Sequence, residues 1–172
     1  MNNILMLFTL LLAGCVSIPE NIVPVDHFHV ERYLGRWYEI ARLDHSFERG
    51  LKSVTAEYSL RPDGGIHVDN RGYSTKEGKW KQAEGKAYFA ARPDQGFLKV
   101  SFFGPFYRSY VILDLDHDHY SYALVCGPDR SYLWILARSP RMDDDLKKRL
   151  IDKAAAAGFD TSQLIYVQHD GD

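Results

Sequence analysis

Few residues in this chain carry chemistry of their own, and two groups of them are worth weighing first. Cys126 sits at the end of an apolar run, beside Gly127-Pro128. A nucleophilic thiol needs a base or a positive field to lower its pKa. Nothing in the spacing sets a base beside Cys126, and no Gly-Xaa-Ser-Xaa-Gly elbow occurs. A structural thiol in a strand is the default reading, and no catalytic residue is assigned. His117-Asp118-His119 has a His-Xaa-His spacing, which suits a metal only when a third ligand is at hand. A solvated turn is the favoured reading of these residues, so no metal site and no cofactor is expected.

Cys15 stands in a different setting. Ile4 to Ala13 is an apolar run too short to cross a bilayer, which takes roughly 20 residues, and of the length of a signal-peptide hydrophobic region. It ends in Leu12-Ala13-Gly14-Cys15. Small residues before a cut site let a peptidase hold extended backbone. The motif resembles the bacterial lipoprotein box, whose cysteine thiol receives a diacylglycerol and whose new amino terminus is then acylated. An ordinary cleaved signal with a chance cysteine is the alternative, and Met1-Asn2-Asn3 departs from type in carrying no Lys or Arg. Residues 1–14 are read as the signal peptide, Cys15 as the lipidation site and 15–25 as anchor and linker. Two or more acyl chains hold firmly where one holds marginally. Val16, rather than Asp, follows the cysteine, which by the same resemblance implies the outer membrane, on its periplasmic face. With Cys15 acylated, Cys126 has no partner and the domain must stand without a disulfide.

The elements that would position a site come next. The chain has 172 residues, enough for one domain with a real core. Its net charge of -2 and scattered basic residues give no nucleic-acid footprint. Val16 to Pro24, with two prolines, reads as a linker lifting the domain off the membrane. From Gly35 onward the pattern alternates with period two between turn signals. The strand-like stretches are Gly35–Leu43, Val54–Leu60, one from Ile66, Trp80–Phe89, Leu98–Phe102, one from Val111, Tyr120–Cys126 and Tyr132–Arg138. Eight short strands at regular spacing predict a sandwich or barrel, and closure into a barrel removes both edges. A helix follows, with Asp143 as its cap, Leu146, Leu150, Ala154 and Ala157 on a narrow stripe, and Gly158 as its stop. It is expected to lie outside the barrel. Leu164–Gln168 is expected to extend the sheet edge.

Gly35-Arg36-Trp37-Tyr38 matches the Gly-Xaa-Trp-Tyr signature of the first lipocalin strand. Asp116–Val125 resembles the lipocalin turn between the sixth and seventh strands, and Trp134–Arg138 the end of the eighth. Tyr33–Arg42, Phe47–Leu51, Ser101–Phe106 and Cys126–Asp129 resemble the bacterial outer-membrane lipocalins in particular. The resemblance covers roughly residues 26 to 168. It implies an all-β fold, an eight-stranded up-and-down antiparallel barrel over residues 26–172 with one C-terminal helix packed outside. It also implies binding of fatty acids or lysophospholipids, for lipid storage or transport in envelope maintenance under stress, and a possible homodimer. Catalysis is not expected. A structural envelope lipoprotein with a side-chain-filled barrel is the alternative.

Direction rules place the site within that fold. The resemblance implies that Arg138 packs over Trp37 as a barrel-closing pair, and direction agrees, since eight alternating strands return the chain to its starting end. Alternation gives an inward set of Val54, Ala56, Tyr58, Val68, Asn70, Phe89, Val100, Phe102, Tyr132 and Trp134, apolar with a few polar handles, as an acyl-chain site requires. The turns after strands one, three, five and seven lie at the far end from Trp37. They carry Phe47, Phe106 and Tyr107, a rim that would serve as a ligand portal, a membrane contact or a dimer interface. Ligand is expected to enter between the first and fifth loops. Glu39 shares parity with Trp37 and points inward unless a bulge flips it.

Overall fold

The computed structural model describes residues 16–170, so the signal segment and Cys15 lie outside the described residues. Eight antiparallel strands run round a closed wall: β1 (Gly35–Arg42), β2 (Leu51–Leu60), β3 (Ile66–Ser74), β4 (Lys79–Phe89), β5 (Phe97–Phe103), β6 (Phe106–Leu115), β7 (Tyr122–Cys126) and β8 (Leu133–Ala137). β1 pairs with β2 on one side and β8 on the other, which closes the barrel. A short β9 (Ile165–Tyr166) adds to β1 at Ala41 and Arg42, as the sequence suggested. A four-residue helix, α1 (Val30–Tyr33), leads into β1 and was not signalled by the sequence. Tyr120 and Tyr132, expected inside strands, precede them instead; Tyr120 sits in the β6–β7 turn with a φ of 54°.

Alternation splits the apolar residues into two cores. Outward-facing Ile40, Val111, Leu113, Leu124 and Ile135 are covered by α2 (Asp144–Ala156) through Leu150 and Ala154. The Asp143 carboxylate accepts the backbone N–H groups of Asp145 and Leu146 at 3.0 and 3.2 Å and so starts the helix. Burying Leu150 in full contributes about 2 kcal/mol. Because β6, β7 and β8 are buried on both faces, their sequences read as near-continuous apolar runs. Inward-facing Ile112, Leu115, Ala123, Val125 and Leu136 join Phe28, Tyr33 and Trp37 in a second core inside one end of the barrel.

The segment before α1 is not a free linker. The Ser109 hydroxyl donates to the carbonyl of Ser17 at 2.5 Å, and Arg130 donates to that of Glu20 at 2.6 Å. Ile18 and Ile22 pack into the outer core, and Val25 exchanges backbone hydrogen bonds with Ile112 and Gly96. The two prolines mark an extended strap whose apolar residues find a wall. This corrects the reading of 15–25 as a spacer, for all of it that is described.

β4 is longer than its neighbour on one side. It pairs with β3 over Lys79–Ala87 but with β5 only over Lys86–Phe89. The wall therefore has a gap beside β4 near the β5–β6 turn.

Candidate functional site

One end of the barrel is plugged. Trp37 is fully buried, and its indole N–H donates to the Tyr33 carbonyl at 2.8 Å. The Arg138 guanidinium lies 4.0 Å over the indole ring. It donates to the carbonyls of Arg36, Arg32 and Tyr120 at 2.8, 2.8 and 3.2 Å. One side chain thus ties α1, β1 and the β6–β7 turn together. Gly35 takes a φ of +89° at this junction, and a Cβ there would sit 3.4 Å from the Arg138 guanidinium. The predicted pair is in contact, at the end where β1 begins and β8 finishes.

Above the plug the barrel is hollow, with a cavity of about 670 Å³ open at the far end. That volume falls within the roughly 300–1,000 Å³ of sites that enclose a small ligand. The interior is not filled with side chains, contrary to the structural alternative raised from sequence. Val54, Ala56, Tyr58, Val68, Asn70, Val100, Phe102, Tyr132 and Trp134 all line it. Phe89 does not. It is the last residue of β4, which runs from mouth to base, so it points inward below the cavity floor, 6.3 Å from the Phe28 ring. Phe47 and Phe106 sit at the mouth. Tyr107 does not belong to the rim: the turn at Gly104-Pro105 sends Phe106 inward and Tyr107 out. There its ring lies between Lys99 at 5.3 Å and Lys86 at 6.0 Å. Phe103, which the sequence reading passed over, lines the mouth instead.

Two polar groups interrupt the apolar wall. On the floor, the Tyr110 hydroxyl lies 2.7 Å from that of Tyr33 and 3.0 Å from that of Tyr58. Burial raises all three phenols, Tyr58 to about 12, so they stay neutral hydrogen-bonding groups. Tyr110 was within reach of sequence reasoning, since it alternates with outward Val111. Tyr33 was not, because it comes from α1.

Higher up, Glu39 does point inward. The Arg42 guanidinium donates to its carboxyl at 2.6 Å and to the Glu48 carbonyl at 2.8 Å, and the Trp134 indole donates to the Glu48 carboxyl at 3.1 Å. The bulge between Glu39 and Ala41 leaves Glu39 inside and brings Arg42 in as well. Burial pushes the Glu39 carboxyl well above its ordinary value. The charge of Glu48 adds to this, and Arg42 opposes it. His45 is also buried, and burial lowers it to about 4. Its Nε2 lies 3.2 Å from Glu48, but misaligned, and neither ring nitrogen has a hydrogen-bond partner. Arg42, His45 and Glu48 are site residues that the sequence reading missed.

Cys126 is fully buried, and burial pushes its thiol up to about 12, the opposite of what a nucleophile needs. In the His117–His119 turn, the Asp116 carboxylate accepts the backbone N–H groups of Asp118, His119 and Ser121. That is turn chemistry. Among the described residues no group of three His, Cys, Asp or Glu is arranged to hold a metal ion.

A closed eight-stranded barrel, plugged at one end by a Trp–Arg pair and hollow at the other, is a lipocalin, and residues 28–169 match the lipocalin-like domain family. The chain belongs to that family. It is 57% identical over 164 residues to the outer membrane lipoprotein Blc of Vibrio cholerae, covering 95% of this chain and 96% of that protein. It is 55% identical over 153 residues to outer membrane lipoprotein Blc of Escherichia coli, covering 89% and 86%. Among solved structures, insecticyanin from the tobacco hornworm Manduca sexta superposes with a TM-score of 0.69 at 25% identity, covering 90% of this chain and 87% of that one. Within the family, then, this chain is an outer-membrane lipoprotein.

Proposed function

We propose that the barrel binds one single-chain acyl lipid, a fatty acid or a lysophospholipid, and that Cys15 carries the acyl anchor. The observation that carries this reading is the cavity of about 670 Å³, apolar along most of its wall and open at the end opposite the plug. Burying sixteen methylene-sized groups there would gain up to about 13 kcal/mol at roughly 0.8 each, from which ordering and association costs subtract a large part. The head of the lipid has a partner at the mouth. Arg108 faces the cavity and donates to the Tyr132 hydroxyl at 2.8 Å, which suits a carboxylate or a phosphodiester. A second tail would have to share the bore or remain in water, so one-tailed lipids are preferred. The similarity to outer-membrane lipoproteins supports a place at the outer membrane, where the cavity would serve a carrier or storage role in envelope maintenance under stress.

Titration of delipidated protein with a fluorescent fatty acid tests the proposal, with lysophospholipid and diacyl phospholipid as competitors. Saturable binding with one site per barrel is expected, competed by the lysophospholipid and only weakly by the diacyl lipid. Val100→Asp, on the inner wall, should abolish it in a barrel that still folds. Arg108→Gln should weaken an anionic lipid while leaving an uncharged monoacylglycerol unaffected. Absence of saturable binding would remove the carrier reading altogether.

A further inference from the structure

On the cavity floor there are more hydrogen-bond donors than acceptors to receive them. The rings of Tyr58 on β2 and Tyr110 on β6 meet edge to face across the bore, and Tyr33 of α1 comes up from the plug beside them. The Tyr110 hydroxyl is the middle member of the row, 2.7 Å from that of Tyr33 and 3.0 Å from that of Tyr58. Each phenol brings one proton, and each contact uses one. Three protons thus serve two hydrogen bonds. Among the described residues none of the three hydroxyls has another partner. One O–H is left over whichever way the row is oriented, and all three side chains line the cavity.

A second unpaired group stands one step above. Asn70 lines the cavity on β3, two residues further along than Val68, the strand partner of Tyr58. Diagonal neighbours of this kind lie about 7–8 Å apart. The Asn70 side-chain oxygen is buried without a hydrogen-bond partner. An amide presents an acceptor or two donors according to how it turns. A hydroxyl on the ligand matches both groups, since it accepts from a phenol and donates to an amide oxygen. In the absence of lipid, water plays that part. A plain acyl chain that fills the cavity expels the water and strands both groups, at the desolvation cost of each. At Tyr58 the carboxyl groups of Glu48 and Glu39 act more strongly than the Arg138 cation. The floor therefore suits a neutral oxygen better than an anionic one, and the anionic head stays with Arg108.

We propose that the tyrosine floor and Asn70 form a polar subsite within the apolar cavity, and that the barrel selects a single-chain lipid carrying a neutral oxygen, a hydroxyl above all, along its chain. The phenols seat that oxygen while Arg108 holds the head. Selection of this kind acts through what is left unmade. A site built to hydrogen-bond a hydroxyl disfavours the analogue that lacks it, because its own polar groups then stay unpaired. Stearic acid and a hydroxystearic acid bury nearly the same apolar surface and differ in whether the floor is satisfied. The proposal rests on the cavity holding a single-chain acyl lipid.

The test is displacement of a fluorescent fatty acid from the delipidated protein. The competitors are stearic acid and a series of monohydroxystearic acids with the hydroxyl near the head, at mid-chain and near the tail. At least one isomer should bind about ten-fold more tightly than stearic acid, as one stranded donor implies. Removing any one phenol still leaves a proton over, so the variant replaces all three: Tyr33→Phe, Tyr58→Phe and Tyr110→Phe. Loss of both partners of a hydrogen bond is nearly neutral for folding. In this variant stearic acid should bind several-fold more tightly, and most of the isomer's advantage should be lost. A merely structural role for the phenols would instead weaken both ligands alike. The ketone that matches the best isomer, with an isotope-labelled carbonyl, reads the unaltered barrel directly. Its stretching band should fall below its frequency in hydrocarbon solvent on binding. Three results overturn the subsite and leave the carrier reading standing: no isomer that exceeds stearic acid, an advantage that survives the triple variant, or a carbonyl band at its hydrocarbon position. Failure of the fluorescent fatty acid itself to bind removes the carrier reading, and the subsite with it.

Discussion

The two ends of the barrel use the same residue types for opposite purposes. At the closed end, Phe28, Tyr33, Trp37 and Tyr120 are buried and in mutual contact, and the one charged group among them, Arg138, has its donors on three carbonyls. At the open end, Phe47, Phe103 and Phe106 face solvent, and the buried polar groups just inside are incompletely satisfied: Arg42 Nε and both His45 nitrogens lack partners. Satisfied polar groups in a low-dielectric core rigidify it, and unsatisfied ones cost free energy. The base is therefore built for stability, while the mouth carries features that weaken the isolated barrel and that an apolar guest would cover.

The largest way to break this contrast is at the base. Trp37→Ala removes a fully buried indole and should cost about 3–5 kcal/mol in denaturant unfolding. Arg138→Ala should couple to it by about 0.5–2 kcal/mol in a double-mutant cycle, the worth of a guanidinium stacked on an indole. A coupling near zero would mean that the guanidinium serves only its backbone carbonyls.

Inside the mouth the expected effects are smaller and depend on pH. Arg42→Met leaves two buried carboxyl groups without their cation. The cost should be about 3 kcal/mol near neutral pH, falling as the pH drops and both carboxyls take up protons. The sign follows from the raised Glu39: its folded form holds a proton that the unfolded form has lost, so stability falls as pH rises above its ordinary value of 4.5. His45 acts on the other side. Folding holds it neutral down to about 4, against an ordinary value of 6.5, so stability is lost as pH falls through that window. His45→Gln should flatten the acid limb between those values, and unfolding midpoints measured across pH would show it. An unchanged acid limb would mean that the buried imidazole takes its proton as readily as in the unfolded chain.

These same residues show where sequence reading reaches and where it stops. Ala56, Tyr58, Val68 and Asn70 line the cavity as parity requires because β2 and β3 pair regularly from Thr55–Arg71 to Leu60–Ile66, whereas Val54 faces in from beside a bulge between Lys52 and Thr55. The contact of Trp37 with Arg138 is implied by the lipocalin resemblance, and the direction rule agrees with it by bringing the two to the same end of the barrel. Parity failed at bulges and ends. The bulge after Glu39 brings Arg42 inside, and no residue type signals it. Phe89 kept its parity but lies too deep, because parity carries no height. Tyr107 was misplaced because the length of the β5–β6 turn sets which of two adjacent aromatics faces in. The strap reads as a spacer in the sequence since its few apolar residues lack periodicity; what orders it is the wall it meets, which a local pattern does not contain.

The finest distinction between the two ends is kinetic, and Phe47 is the residue on which to test it. Its ring stacks on His45 at 4.1 Å and lies 6.5 Å from Tyr132, yet more than half of its surface is in water. Replacing an exposed side chain away from a core changes stability by about 0.5 kcal/mol or less, a shift of no more than about 2 °C in Tm for a domain of this size. Phe47→Ser should therefore leave thermal unfolding almost where it was. The ring nonetheless forms part of the mouth, and a bound acyl chain must pass it to leave. Its loss should raise the dissociation rate of a fluorescent fatty acid several-fold in stopped flow, with the association rate rising less. A Tm drop comparable to that of Trp37→Ala would show that the mouth aromatics hold the barrel together as those of the base do, and the contrast between the two ends would fall. An unchanged dissociation rate with an unchanged Tm would place the path of the lipid elsewhere, and the unpaired flank of β4 would be the next place to obstruct.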